Sequence, residues 1–202
     1  MTFFSTLFLE LEFAIMAGVL LSLGLYLNRT SRPKLVSRVP DPSTPGRDFV
    51  TNPTLPECPQ FKLARLDGSL FFGAVSHVSE GLALWEQRNP GQKHLAISAT
   101  GVNFIDVAGA EFLAEEASRR REQGGGLYLI RLKPGACEPL RRGGYIEAIG
   151  AENLFSGKTE AIAAIVPKLD PDICRTCTAR IFRECAGQPG APSSQAVMPA
   201  CP

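Results

Sequence analysis

The sequence predicts an α/β fold, a mixed β-sheet covered by helices and preceded by a single transmembrane helix. Three observations predict it. Residues Phe3 to Leu27 form one nearly unbroken apolar stretch. A proline-rich segment follows it. Beyond that, short apolar runs alternate with stretches of helical periodicity, the pattern of strands and covering helices in one domain.

The apolar stretch matches the ~20 residues with which an α-helix crosses the hydrocarbon core. Arg29, Arg32, Lys34 and Arg38 follow it and no Lys or Arg precedes it, so the positive-inside bias places everything after about residue 29 in the cytoplasm, at the plasma (inner) membrane. Glu10 and Glu12 interrupt the run near its start. Carboxylates are costly against lipid, so they are expected either at headgroup level or facing other helices. A cleaved signal peptide fits poorly, because the N-terminus carries no basic residue and the run ends in Tyr-Leu-Asn-Arg.

The expected division is 1–28 membrane helix, 29–59 linker, 60–170 folded domain and 171–202 a cysteine-containing tail. The linker carries Pro40, Pro42, Pro45, Pro53, Pro56 and Pro59, which rule out a continuing helix. Lys and Arg total 21 against 20 for Asp and Glu, a balance that gives no footprint for nucleic acid. In a cytoplasmic domain the six cysteines are expected to be reduced.

Within the domain, FKLARLDGSLFFG reads as a hairpin about Asp67-Gly68. AVSHVSEGLALWEQR has helical spacing, and HLAISA is a buried-strand candidate. A helix is expected from about Gly109 to Gln123. Ala110, Leu113, Ala114 and Ala117 would face inward, with Glu115–Arg119 and Glu116–Arg120 pairs outside. LYLIRL is the next strand, and Ala136–Arg142 a short helix. A last helix starts near Ser156 as N-cap, and Pro167 should distort its final turn.

The stretch ISATGVNFIDVAGAEFL places Asp106, Val107, Ala108 and Gly109 between a strand and a helix. This strand–Phe-Ile-Asp-x-x-Gly–helix pattern resembles the signature loop of the STAS domain, over about Phe61 to Leu169. That domain is shared by anti-sigma-factor antagonists and SulP-type anion transporters. LELEFAIMAGVLLSLGLYLNRTSRP likewise resembles the last transmembrane helix of SulP transporters. The resemblance implies the C-terminal region of an inorganic anion (sulfate- or bicarbonate-like) secondary transporter, regulatory and not transport-competent alone. The implied partners are the membrane, a transporter's transmembrane domain or a cytosolic regulator, and a second copy of the chain. In antagonist members, the hydroxyl residue after the Asp is phosphorylated; Val107 and Ala108 cannot accept phosphate, which removes that switch. From the residues alone, Asp106 caps the following helix, and Gly109 lets the backbone turn tightly or approach a partner closely.

Cys174-Arg-Thr-Cys177 followed by Cys185 is a candidate zinc or iron–sulfur ligand set lacking a clear fourth ligand, with Cys201 in a loose end. Redox chemistry is a second reading of the CxxC, and cysteines as merely small, apolar residues a third. Ser156-Gly157-Lys158-Thr159 lacks the earlier glycine of a P-loop, since position 152 is Glu152. No catalytic constellation or cofactor motif is present, so an enzyme is not expected. The alternatives to a transporter region are a freestanding membrane-anchored binding module and a cysteine-based metal or redox sensor.

Overall fold

A computed structural model describes residues 11–44 and 48–190. Helix α1 spans Leu11–Thr30. It leaves Phe13, Ile15, Met16, Val19, Leu20, Leu23 and Leu25 exposed, while Ala14 is buried. From Glu12 to Thr30 it is long and apolar enough to cross a membrane.

Strand β1 (Lys34–Ser37) follows after three residues. Strands β2 (Val39–Pro40) and β3 (Phe49–Val50) form a small antiparallel pair. Then come β4 (Phe61–Asp67), α2 (Phe72–Arg88), β5 (His94–Gly101), α3 (Val107–Glu122), β6 (Gly126–Ile130), α4 (Pro134–Arg142), α5 (Tyr145–Ile149), β7 (Leu154–Phe155), α6 (Lys158–Ile165) and α7 (Pro171–Thr176). The main sheet has the order β1-β4-β5-β6-β7. β1 is antiparallel to β4, and the remaining pairs are parallel.

Side-chain alternation along the strands divides the core in two. Ala64, Leu66, Leu95, Ile97, Leu127 and Leu129 point to one face, where α2, α3, α4 and α5 cover them with Val78, Leu113, Leu140 and Ile149. Phe61, Leu63, Ala96, Tyr128 and Ile130 point to the other, beneath Ile162, Ile165, Leu169, Cys174 and Phe182. Both faces are buried, which is why HLAIS and LYLI read as continuous apolar runs.

Four sequence expectations are corrected. The hairpin about Asp67-Gly68 does not form: β4 already has β1 on one edge and β5 on the other, so no edge is left for the following residues. Leu70 bridges Ile105 instead, and Phe72 starts α2. The segment 29–59 is not a plain linker, because its proline-free Lys34–Ser37 completes the sheet and Leu35 packs on the first core. Glu116 and Arg120 are not on an outer face; they are 7% and 4% exposed. Arg120 pairs with Glu116 and donates to the Gln92 and Lys93 carbonyls, while Arg119 pairs with Glu86 of α2. Finally, the start of the cysteine-containing tail is packed on the domain, since α7 docks through Cys174 on the second face.

The last helix begins near the expected place, at Lys158, but Gly157 and not Ser156 is its N-cap; Ser156 donates forward to Glu160 instead. At Pro167 the helix tightens into a 3₁₀ turn over Val166–Lys168.

Candidate functional site

The loop between β5 and α3 is built around one carboxylate. Asp106 is the N-cap of α3, its Oδ1 accepting from the Gly109 N–H at 2.8 Å. Its Oδ2 accepts from the Phe72 N–H, in the first turn of α2, at 2.9 Å. A single side chain thus satisfies orphan donors at two helix N-termini, each carrying partial positive charge. The backbone completes the link: Leu70 N–H donates to the Phe104 carbonyl and Asp106 N–H to the Leu70 carbonyl, both at 3.1 Å.

Gly109 allows this approach. A Cβ there would collide with the Leu70 carbonyl oxygen, so only glycine lets α3 lie against the strand-to-helix turn before α2. The sequence signal for a cap was therefore sound, while the close approach at Gly109 is to Leu70 of the same chain. What it missed is the second acceptance by Asp106, because the Leu-Phe-Phe-Gly run read as a strand.

The surface beside this carboxylate is apolar. Phe72 is 80% exposed, Val107 66% and Phe104 48%, and the Phe71 and Phe104 rings stack with centroids 6.1 Å apart. Clustered exposed aromatics of this kind mark contact surfaces more often than scattered single residues do. The cluster adjoins the exit of α1: a Cβ on Gly73 would lie 2.9 Å from Ser31 Oγ, and one on Gly68 2.8 Å from Pro33 Cβ.

At the opposite end of the parallel strands, His94, Arg121, Tyr128 and Lys168 line a cleft of about 370 Å³. His94 Nδ1 and the Tyr128 hydroxyl are 3.0 Å apart. Burial first, and then Lys168, Arg120 and Lys93, push the imidazole down to about 4. Burial pushes the Tyr128 hydroxyl up to about 12. Both groups are neutral at neutral pH.

Of the other residues singled out from the sequence, Glu12 is exposed in the first turn of α1, and Glu10 lies outside the described residues, as does Cys201. Cys174 is buried, Cys177 and Cys185 partly so. Among the described residues, no three His, Cys, Asp or Glu side chains stand together as a ready metal-binding group.

A helix-covered mixed sheet, with a doubly anchored carboxylate at two helix N-termini and an apolar helix of membrane length before it, defines a small α/β domain. The chain belongs to the STAS domain family, which matches residues 52–161. It is homologous to sulfate transporters. It is 24% identical to sulfate transporter 1.1 of Arabidopsis thaliana over 80% of this chain and 26% of that protein. It is also 24% identical to putative sulfate transporter YvdB of Bacillus subtilis (strain 168), over 79% of this chain and 28% of that protein. Among solved structures, the murine Solute Carrier 26 family member A9 anion transporter in the inward-facing state superposes with a TM-score of 0.72 at 19% identity. That match covers 82% of this chain and 27% of the transporter chain. The chain therefore spans about a quarter of the length of the relatives it matches.

Proposed function

We propose that this chain is the cytoplasmic STAS region of a SulP-type inorganic anion transporter, together with the transmembrane helix that precedes that region. Its work is regulatory docking, not ion passage. A lone helix encloses no anion path, so transport would belong to further membrane helices, whose repeat interfaces form such sites.

The carrying observation is the placement of the apolar surface. Phe72, Phe104 and Val107 lie beside the α1 exit, and β1 is locked into the sheet only three residues after α1 ends. On this reading the domain sits under the membrane with this surface next to it. A partner there influences transport only if it contacts one transporter conformation better than another.

The test is a Phe72→Ser, Val107→Ser double substitution in the membrane protein that carries this region, with sulfate uptake and domain folding measured together. Both side chains are solvent-exposed, so folding should hold while uptake changes several-fold. Unchanged uptake with normal membrane abundance would defeat the docking reading.

A further inference from the structure

The fold brings the segment of the Cys174–Cys177 CxxC alongside those that carry Cys58 and Cys185. Cys174 sits on the last turns of α7, and the Cys177 N–H turns back to the Cys174 carbonyl at 3.3 Å. Arg180 gathers the chain beyond Cys177. Its Nη1 donates to the Cys185 carbonyl at 2.9 Å, and its Nη2 to the Cys174 and Pro189 carbonyls at 3.1 and 2.7 Å. One guanidinium therefore holds the backbones of Cys174 and Cys185 side by side. Arg180 does so at φ 34°, in the left-handed region that non-glycine residues seldom occupy.

The fourth thiol comes from the segment before β4. Gln60 Nε2 donates to the Asp170 carbonyl at 3.1 Å and lies 3.4 Å from Cys174 Sγ, while its Oε1 accepts from the Asp170 N–H at 2.8 Å. The Phe61 and Phe182 rings meet with centroids 5.2 Å apart. These contacts pin the chain around Cys58 to the segment that carries the other three cysteines. Cys58 and Cys174 are buried in one apolar cluster, and Cys185 packs against it.

We propose that Cys58, Cys174, Cys177 and Cys185 form a tetrathiolate zinc site that fastens the α7 segment to the sheet. Zinc suits four soft thiolates and a tetrahedral, redox-inert site. The four thiols release four protons as Zn²⁺ binds, leaving a net charge of −2 that the Arg180 guanidinium partly offsets. The sulfurs do not stand preformed around an ion. Cys177 and Cys185 are only partly buried, on short turn-rich segments, so an ion has a way in and coordination supplies the energy that closes the set. Cys58 is the ligand that sequence spacing could not supply.

The test uses the full chain purified in detergent under a non-thiol reductant and without chelator. Metal content and titration with Zn²⁺ alone should give one zinc per chain. Zinc should protect four of the six cysteines from alkylation. Co²⁺ should give the charge-transfer and visible bands of a tetrahedral thiolate site. Cys58→Ser should weaken zinc binding by about ten-fold or more. Cys137→Ser, in α4 on the other face, should leave it unchanged. Should the Cys58 variant fail to fold, the cobalt spectrum and the protection count on the unmodified chain decide. No bound zinc, iron with labile sulfide in its place, or undiminished zinc affinity in a folded Cys58→Ser variant would overturn the site.

Discussion

Asp106 is the residue whose replacement the geometry constrains most tightly. Asp106→Ala removes both of its acceptances, from Gly109 and from Phe72. Losing an N-cap costs about 1 kcal/mol. A hydrogen bond to a charged acceptor at an exposed site adds about 1.5 kcal/mol, the low end for such bonds. The expected loss is about 2.5 kcal/mol by this addition. Asp106→Ser retains a hydroxyl that can cap Gly109 but is too short for Phe72, so it should recover about 1 kcal/mol of that loss. Urea unfolding in detergent, followed by the fluorescence of Trp85, the only tryptophan, reads both numbers. If Asp106→Ala unfolds within about 0.5 kcal/mol of the unmodified chain, or Asp106→Ser is no better than alanine, the double anchoring is not what holds this loop.

Three other outcomes are expected. Gly109→Ala should destabilise by about 1–3 kcal/mol despite alanine's better helix propensity, because its Cβ meets the Leu70 carbonyl; the same unfolding assay would show it. Glu116→Ala should cost about 3 kcal/mol by leaving Arg120 buried without its carboxylate, and Glu116→Gln should cost less. His94 should make the fold acid-sensitive. Its pKa falls from 6.5 to about 4 on folding, so the unfolded chain takes up the proton first. Its contribution is then complete above pH 6.5, fades as pH drops towards 4 and amounts to at most roughly 3 kcal/mol. Thermal unfolding between pH 7 and 4 should show this slope, and His94→Gln should flatten it.

Much of the fold was legible in local pattern. The strands HLAIS and LYLI and the helices α2, α3 and α4 follow from apolar runs and helical spacing. The misreadings share a cause, which is that pairing is not a local property. Asp67-Gly68 has good hairpin chemistry, yet β4 is flanked by β1 and β5, and β1 lies in a segment judged by its prolines. Glu116–Arg120 has the spacing of a surface pair, but Arg120 reaches the chain end of α2's connection to β5 and is buried there. At the candidate site, the cap was readable because Asp106 and Gly109 lie three residues apart. The acceptance from Phe72 was not, and neither was the approach of Cys58 to the Cys174 segment, because each joins parts of the chain that only the sheet brings together.

The membrane-tethered arrangement is tested most directly by topology. Cys137 in α4 is partly exposed, so it serves as the reporter in a chain whose remaining cysteines are serine. The chain is expressed in bacterial cells, extracted with carbonate and probed with a membrane-impermeant thiol reagent. Retention in the membrane pellet, with labelling only after permeabilisation, is the predicted result. Release by carbonate, or labelling of Cys137 in intact spheroplasts, would contradict a membrane-spanning α1 with its STAS domain on the cytoplasmic side.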